Sequence, residues 1–268
     1  MFNLPESIYK HLYFKDVFKV KIKGGNTFLI HHYGFQVENE IFWSGLFGRW
    51  EKDSLLLWNK LCENSDVIFD IGANTGIYAL IAKTAKKNNN VYAFDPVCRV
   101  YKKLVKNIAL NHYDIKAYPI ALSNQSGKAI IYDTDTEHTY SVTVNKNLNT
   151  TKSLVKEIPI DTLRLDEFIV SNNIKKIDLM KIDVETHEPE VLEGMGRYLK
   201  DFKPTLLIEI LNNEIAVKIE NLIKGLGYIY FNINEQGAIK KVDCLTKSDY
   251  HNFLICSTDV AYSLNLEN

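Results

Sequence analysis

The chain has 268 residues, of which 46% are apolar and 24% charged, and 32 basic against 33 acidic side chains give a net charge of −1. These values are typical of a globular protein with a buried core, and the balanced charge gives no reason to expect nucleic acid or a membrane as a partner. The apolar runs are too short to cross a bilayer and the first residues lack the features of a signal peptide, so we expect a cytoplasmic protein. The cysteines are far apart, which argues against a disulfide framework or a structural zinc site; they are Cys62, Cys98, Cys244 and Cys256.

The first sixty residues predict a small extension that precedes the main domain. Residues 17–31 alternate apolar and polar side chains on both sides of a Gly-Gly-Asn turn, which predicts a β-hairpin. An aromatic-rich stretch follows, and Asp53 and Ser54 are placed to cap a helix. We therefore divide the chain into an extension over residues 1–60 and a second domain over residues 61–268.

Strands and helices alternate from residue 66 onward. Apolar residues at helical spacing separate most of the short apolar runs, and the last two runs are expected to pair in antiparallel fashion. This order predicts an α/β fold with a doubly wound, mostly parallel seven-stranded sheet that binds ligands at the carboxyl ends of its strands. A further hairpin is expected within residues 129–144. The seven expected strands cover residues 67–71, 91–95, 115–120, 177–183, 205–210, 228–233 and 251–256.

A glycine loop follows the first of these strands. Residues 70–76 read Asp-Ile-Gly-Ala-Asn-Thr-Gly, and Gly72 and Gly76 permit a tight turn and the close approach of a ligand to the backbone. The spacing differs from the G-x-G-x-x-G of dinucleotide-binding loops, so NAD or FAD is less expected. The acidic Asp70 before the loop suits a ligand that carries an amine or a sulfonium better than one that carries phosphates.

Ionisable residues gather at two further strand ends. Asp95 ends the second strand, where a carboxylate can accept both hydroxyls of a ribose, although helix capping is an alternative role. Asp183, Glu185, His187 and Glu188 crowd the loop after the fourth strand. Capping of the next helix explains Glu188. Four ionisable groups within six residues nevertheless require a partner, which could be a cationic ligand, a metal or a proton in transfer.

These segments, in this order, resemble the FkbM family of class I methyltransferases, which depend on S-adenosylmethionine (AdoMet). Residues 70–78 look like the cofactor loop of that family, residues 121–127 (Ala-Leu-Ser-Asn-Gln-Ser-Gly) like its A-L-S segment, and residues 160–194 contain its second signature. The resemblance covers about residues 60–210. The sequence departs from the family at Asp95, where glutamate is usual, and at Thr186, where glycine is usual.

The resemblance implies a Rossmann-like methyltransferase fold, AdoMet as cofactor, and a hydroxyl acceptor on a sugar or sugar-derived molecule, here expected to be nucleotide-linked. Asp70 would approach the amino group of the cofactor, Asp95 the ribose hydroxyls, and Asp183 the sulfonium. The other implied cofactor-binding residues are Gly72, Ala73, Asn74, Gly76, Ala121, Leu122 and Ser123.

The acceptor hydroxyl needs a base, and we expect His187, or failing it Glu185, to take this role, with Asp183 placing cofactor and acceptor. The alternative is that His187 is only hydrogen-bonded on the helix face. The same loop, together with Glu209, could instead hold a divalent cation that acidifies the hydroxyl.

The walls of the acceptor site are expected to come from the aromatic extension and from residues 138–141. Of the extension aromatics Tyr33, Trp43, Trp50 and Trp58, we assign Trp58 to the core and leave Trp43 and Trp50 open. Two other functions stay open, a nicotinamide-dependent oxidoreductase and an AdoMet-binding protein without catalysis. A homo-oligomer is compatible with the sequence.

Overall fold

The computed structural model describes residues 6–133, 142–143 and 156–266. Within these residues no helix combines the length and apolar character needed to cross a membrane. The helices are α1 (Glu6–Tyr9), α2 (Gln36–Ser44), α3 (Lys52–Glu63), α4 (Ile77–Ala85), α5 (Cys98–Leu110), α6 (Leu165–Ser171), α7 (Glu188–Gly194), α8 (Tyr198–Phe202), α9 (Asn213–Ile223) and α10 (Thr258–Leu264). The strands are β1 (Val17–Lys21), β2 (Thr27–His31), β3 (Val67–Ile71), β4 (Asn90–Phe94), β5 (Lys116–Tyr118), β6 (Ala121–Ser123), β7 (Gly127–Asp133), β8 (Val142–Thr143), β9 (Lys156–Arg164), β10 (Leu179–Ile182), β11 (Thr205–Glu209), β12 (Ile229–Asn234), β13 (Ala238–Val242) and β14 (Asn252–Cys256).

The main sheet has eight strands in the order β13-β12-β14-β11-β10-β3-β4-β5. The strands from β11 to β5 pair in parallel, whereas β14 is antiparallel to both of its neighbours. The expected α/β fold with a mostly parallel sheet and a closing antiparallel pair is therefore confirmed. The number of strands differs, because β13 adds an eighth strand to the outer edge of β12. Its five side chains are all at least partly exposed, so the strand lacks the buried apolar run that marked the others.

The order of the strands reverses beside β3. From β3 the chain moves outward through β4 and β5, and it then returns to the other side of β3 as β10. The residues at the ends of these two strands are in register, with Ile182 opposite Ile71, and the Asp183 amide donates to the Ile71 carbonyl at 3.0 Å. Ligands of doubly wound sheets bind at such a switch point, so the loops after β3 and β10 frame the expected site.

A second sheet of four strands, in the order β6-β9-β7-β8, lies along the chain between β5 and α6. The expected hairpin is confirmed where Tyr132 and Asp133 pair with Thr143 and Val142. The long strand β9 was not expected. It pairs in parallel with β6 and in antiparallel fashion with β7.

The hairpin β1–β2 and the helix α3 pack into the main core on one face of the sheet. Phe28, Ile30 and Trp58 are fully buried in the same apolar cluster as Ala79 of α4 and Ile68 of β3. The Trp58 indole donates to the Tyr78 carbonyl at 2.9 Å, which confirms Trp58 as a core residue. The division of the chain at residue 60 falls within α3 and stays a prediction.

Two helix assignments need correction. Helix α3 begins at Lys52, so Asp53 and Ser54 lie inside its first turn and do not cap it. Their amides donate to the Glu235 carboxylate at 2.8 and 3.4 Å, so the free donors of this helix end are satisfied from the β12–β13 turn. The helix expected over residues 188–199 is interrupted at Gly196, where φ is +54°, and forms α7 and α8.

Candidate active site

A cavity of about 430 Å³ opens at the carboxyl ends of the central strands. This volume lies in the range of small-molecule and cofactor sites. Most of the expected site residues line it, namely Gly72, Ala73, Asn74, Asp95, Ala121, Leu122, Asp183, Glu185 and His187. Asp70, Gly76 and Ser123 are not among its lining residues. The tertiary structure thus brings together four segments that lie up to 115 residues apart, counted from Gly72 to His187.

The glycine loop is held tightly against the loop after β10. Gly72 has φ +82°, and a Cβ atom there would lie 1.8 Å from the carbonyl oxygen of Asp183. The amides of Gly72 and Ala73 both donate to the Phe94 carbonyl, at 3.0 and 2.9 Å. Gly76 has another role, because a Cβ atom there would meet the Leu104 side chain at 2.6 Å, where α4 packs on α5. Glycine at these two positions therefore serves close packing of loops and helices.

Asp95 faces the cavity from the end of β4. Its two carboxylate oxygens accept hydrogen bonds from the amides of Asn74, at 3.0 Å, and Val97, at 2.9 Å. Burial raises the pKa of Asp95 to about 7 against the opposing effect of these hydrogen bonds. Each carboxylate oxygen can accept more than one hydrogen bond, so the carboxyl group can still receive ligand hydroxyls.

Asp70 lies beneath the glycine loop. Its carboxylate accepts a hydrogen bond from the Ala79 amide in the first turns of α4, at 2.9 Å, and the residue is 1% exposed. Burial raises its pKa to about 7. The structure therefore places this carboxyl group behind the residues that line the cavity, where it supports α4. The implied contact with a cofactor amino group stays a prediction.

The buried Lys181 lies beside three acidic residues that line the cavity, namely Asp183, Glu51 and Glu209. The ammonium group of Lys181 lies 3.1 Å from Asp183, and this side chain is 2% exposed. Burial would lower the pKa of Lys181, but Asp183, Glu51 and Glu209 together raise it above its ordinary value. Burial raises the pKa of Glu209, and the neighbouring Asp183, which shares a hydrogen bond with it, adds to this effect against the opposing charge of Lys181.

Tyr78 and Glu51 line the cavity next to Lys181. The Tyr78 hydroxyl donates to the Glu51 carboxylate at 2.5 Å, and the Lys181 ammonium lies 5.2 Å from the centre of the Tyr78 ring. Burial raises the pKa of Glu51. Lys181, Tyr78 and Glu51 were not among the residues expected at the site. A signal was present for Lys181 alone, since it interrupts the apolar strand Leu-Met-Lys-Ile.

His187 lies on the cavity wall and has a polar partner on each side. Its Nε2 is 2.9 Å from the Ser123 hydroxyl, and its Nδ1 is 3.6 Å from a carboxylate oxygen of Glu190. Burial lowers the pKa of His187, and Glu190 opposes this shift. The shift favours the neutral ring, which is the form that can accept a proton. Ser123 contacts this ring, and its expected contact with the cofactor stays a prediction.

The loop before α7 is held by Glu188. This carboxylate accepts hydrogen bonds from the amides of Val184 and Thr186, at 3.1 and 3.2 Å. Burial raises its pKa to about 7. Glu185 and Thr186 both have positive φ, +53° and +82°. Thr186, which stands where the FkbM family usually has glycine, thus occupies a conformation that glycine adopts more easily.

The aromatic residues of the extension occupy different places in the structure. Trp50 lines the cavity. Trp43 stacks on Tyr9 with 6.4 Å between ring centres, and Tyr33 lines a separate depression beside α5. Residues 138–141, the other expected wall of the acceptor site, lie outside the described residues.

Among the residues that the structure describes, no group of three or more His, Cys, Asp or Glu side chains is arranged to hold a metal ion. Glu209 and Asp183 both line the cavity. They were expected as possible ligands of a divalent cation. Asp183 is engaged with Lys181 there, at 3.1 Å.

Comparison with known proteins gives a family match and several relatives. A model described as "Methyltransferase FkbM domain" matches residues 70–230. Hexuronic acid methyltransferase AglP of Haloferax volcanii is 31% identical over 57% of this chain and 59% of its own length. Methyltransferase 1 of Beauveria bassiana is 24% identical over 55% of this chain and 65% of its own length. The 31-O-demethyl-FK506 methyltransferase FkbM of Streptomyces tacrolimicus is 26% identical over 48% of this chain and 59% of its own length. The chain therefore spans about three fifths of the length of these relatives.

Proposed function

This chain belongs to the FkbM methyltransferase family, and from that premise we propose that it transfers the methyl group of AdoMet to a hydroxyl group of a sugar or a sugar-derived molecule. One observation carries the proposal. The loop after β3, the carboxylate at the end of β4, the β6 segment and the ionisable loop after β10 all line the same cavity.

The residues on the cavity wall fit AdoMet in two respects. The Asn74 side-chain oxygen is buried without a hydrogen-bond partner, and Asn74 lines the cavity, so a ligand hydroxyl or amine can supply the missing donor. Asp183 and Glu185 place carboxyl groups on the wall that a cationic cofactor would face. The cofactor, when bound, supplies an electrophilic methyl group on a sulfonium.

The chain itself has to position the acceptor and remove a proton. Methyl transfer requires the acceptor oxygen to lie about 3 Å from the methyl carbon, in line with the bond that breaks. We assign the removal of this proton to His187, which lines the cavity and whose neutral form is favoured by burial. When Nδ1 carries the ring proton towards Glu190, Nε2 is the basic nitrogen. The Ser123 hydroxyl orients the ring by donating to the lone pair of Nε2, and it has to give way when the acceptor hydroxyl binds there. Glu185 is the second candidate for this base.

The names of two relatives support the acceptor class. AglP is described as a hexuronic acid methyltransferase, and the Streptomyces relative as a methyltransferase of an O-demethyl compound. The first name specifies a sugar acid as the substrate, and the second specifies oxygen as the methylated atom.

The first experiment measures the melting temperature with AdoMet, S-adenosylhomocysteine and NAD, each added alone. A ligand at a hundredfold its dissociation constant stabilises the folded state by about 2.7 kcal/mol, which a melt resolves. We expect a shift with the first two ligands only. A shift with NAD alone would favour an oxidoreductase. Cofactor binding without formation of S-adenosylhomocysteine, across a panel of uronic acids and nucleotide sugars, would favour a binding protein without catalysis.

A further inference from the structure

A depression beside α5 concentrates positive charge. It is lined by one arginine and four lysines together with Tyr33 and apolar side chains, and none of the described residues that line it is acidic. We call it the basic groove; its cations are Arg99, Lys102, Lys103, Lys106 and Lys156. The whole chain carries a net charge of −1, so this clustering is local and does not reflect a basic protein.

The basic groove is built from two elements. Lys102 and Lys103 lie three and four residues after Arg99, and Lys106 lies four and three residues after them, which places the four cations along one side of α5. Lys156 begins β9, and its side chain shares a strand face with those of Ile158 and Ile160. The groove is therefore a stripe of cations on a helix that is closed on one side by a strand.

The basic groove adjoins the cavity of the candidate active site. Val97 lines both. Along β9, Ile158 lines the groove and Ile160 lines the cavity, so one strand face runs from one to the other. A single ligand that occupies the cavity with one end can thus reach the cations with the other.

Lys103 lies between two aromatic rings at the edge of the groove. Its ammonium lies 3.8 Å from the centre of the Phe35 ring and 5.2 Å from that of Tyr33. Burial lowers the pKa of Lys103 to about 8, and Arg99 and Lys15 add to this effect while Glu38 opposes it. An anion in the groove would be attracted by these charges and would restore the ordinary pKa of the lysine.

We propose that the methyl acceptor is a sugar linked to a diphosphate, and that the basic groove binds the diphosphate while the sugar lies in the adjoining cavity. Lysine ammonium groups and an arginine guanidinium are the donors that proteins use for phosphate oxygens. This inference rests on the proposed function, because it names the anionic part of the acceptor molecule. Two sources share the chemistry, a nucleoside diphosphate sugar and a polyprenyl diphosphate sugar.

The test measures binding of inorganic pyrophosphate, UDP and geranyl diphosphate by calorimetry, without AdoMet. The variant carries Lys102→Ala and Lys106→Ala, two exposed positions on α5. Its matched control carries Lys240→Ala and Lys241→Ala, two exposed lysines on β13 at the opposite edge of the main sheet. Uridine serves as the uncharged control ligand.

We expect saturable binding of pyrophosphate that weakens with added salt, that is about 10- to 100-fold weaker in the α5 variant, and that is unchanged in the β13 control. Tighter binding of UDP than of pyrophosphate would support the nucleotide source, and tighter binding of geranyl diphosphate the lipid source. Equal affinity in the wild type and the α5 variant, or no saturable binding of any diphosphate, would overturn the proposal.

The AdoMet melt distinguishes failure of this inference from failure of the proposed function. If AdoMet stabilises both variants as it does the wild type but diphosphates do not bind, only the basic groove has been misassigned. If diphosphates bind and AdoMet does not, the cofactor assignment is wrong while the groove remains an anion site.

Discussion

Thr186 holds a left-handed backbone conformation, φ +82°, beside the candidate reaction centre. Such a conformation costs a β-branched residue on the order of 1–3 kcal/mol. We expect Thr186→Gly to raise the free energy of unfolding by about 1 kcal/mol, because the relieved strain exceeds the added entropy of the unfolded glycine. Urea unfolding measures this change.

The matched control is Asn173→Gly. Asn173 is exposed with φ +53°, and asparagine tolerates this region, so the control should gain less stability. A loss of stability in Thr186→Gly would show that contacts of the threonine side chain outweigh the strain.

The pH dependence of turnover tests His187 as the base. Burial lowers the pKa of His187, whereas Glu190 raises it. The rate should therefore fall in acid, when the ring becomes protonated, and the midpoint of this limb should lie below the pH at which an unperturbed imidazole titrates. We expect Glu190→Gln to move this acid limb to lower pH, because the variant removes the only charge that opposes the effect of burial among the causes of the shift.

Replacement of His187 completes this test. His187→Ala should lower kcat by about 100- to 10,000-fold and leave AdoMet affinity unchanged. Full turnover in this variant would end the assignment of His187 as base and direct attention to Glu185.

At the scale of elements, α7 lies directly against β6. A Cβ atom on Gly194 would lie 2.0 Å from the Ser123 carbonyl oxygen. This contact places the start of α7, and with it His187, beside Ser123. In an exposed helix, alanine would stabilise by about 1 kcal/mol relative to glycine. We expect Gly194→Ala instead to destabilise by about 1–3 kcal/mol, because the helix and the strand must separate.

The same displacement should lower kcat, since it moves the His187 ring. The control is Gly237→Ala in the β12–β13 turn. Its added Cβ would meet no atom within 4 Å, although φ is +106°. It should therefore lose stability through backbone strain and keep its activity. Equal kcat values for the two variants would contradict the proposed role of the α7–β6 contact.

For the whole molecule, stability is linked to pH through the buried carboxyl groups. The pKa of Asp70 is about 7 in the folded chain and about 3.9 when unfolded. Between these values the folded state holds a proton that the unfolded state has released, so this residue makes stability fall as pH rises. The slope is about 1.4 kcal/mol per pH unit for one proton.

We expect Asp70→Asn to remove this contribution and to keep an acceptor for the Ala79 amide. The variant should therefore gain stability relative to the wild type as pH rises from 4 to 7 in chemical unfolding. Asp66→Asn is the control. Lys176 and Lys86 lower the pKa of the exposed Asp66 to about 2, so its contribution has the opposite sign and is lost only in acid. A pH-independent difference for Asp70→Asn would contradict the linkage.

The sequence by itself determined the alternation of elements and the positions where strands end. Periods of two and 3.6 residues record which side of each element is apolar, and the carboxyl ends of parallel strands share one edge. For this reason Asp95, Asp183, Glu185 and His187 could be assigned to one site before the fold was known. The hairpin β1–β2 and the buried position of Trp58 followed from the same local patterns.

Only the tertiary structure decided which side chains meet. The hydrogen bond between Ser123 and His187 joins residues 64 positions apart, and the contact between Asp53 and Glu235 spans 182 positions. No periodicity encodes such pairs, because they depend on how separate elements pack. The same reason explains why the Asp70 carboxylate bonds to the Ala79 amide behind the cavity wall and why the charge of Glu51 acts on Lys181. It also explains why strands β9 and β13 were not predicted. Whether a segment pairs as a strand or is buried depends on the elements that pack beside it, and the residues of the segment do not specify those elements.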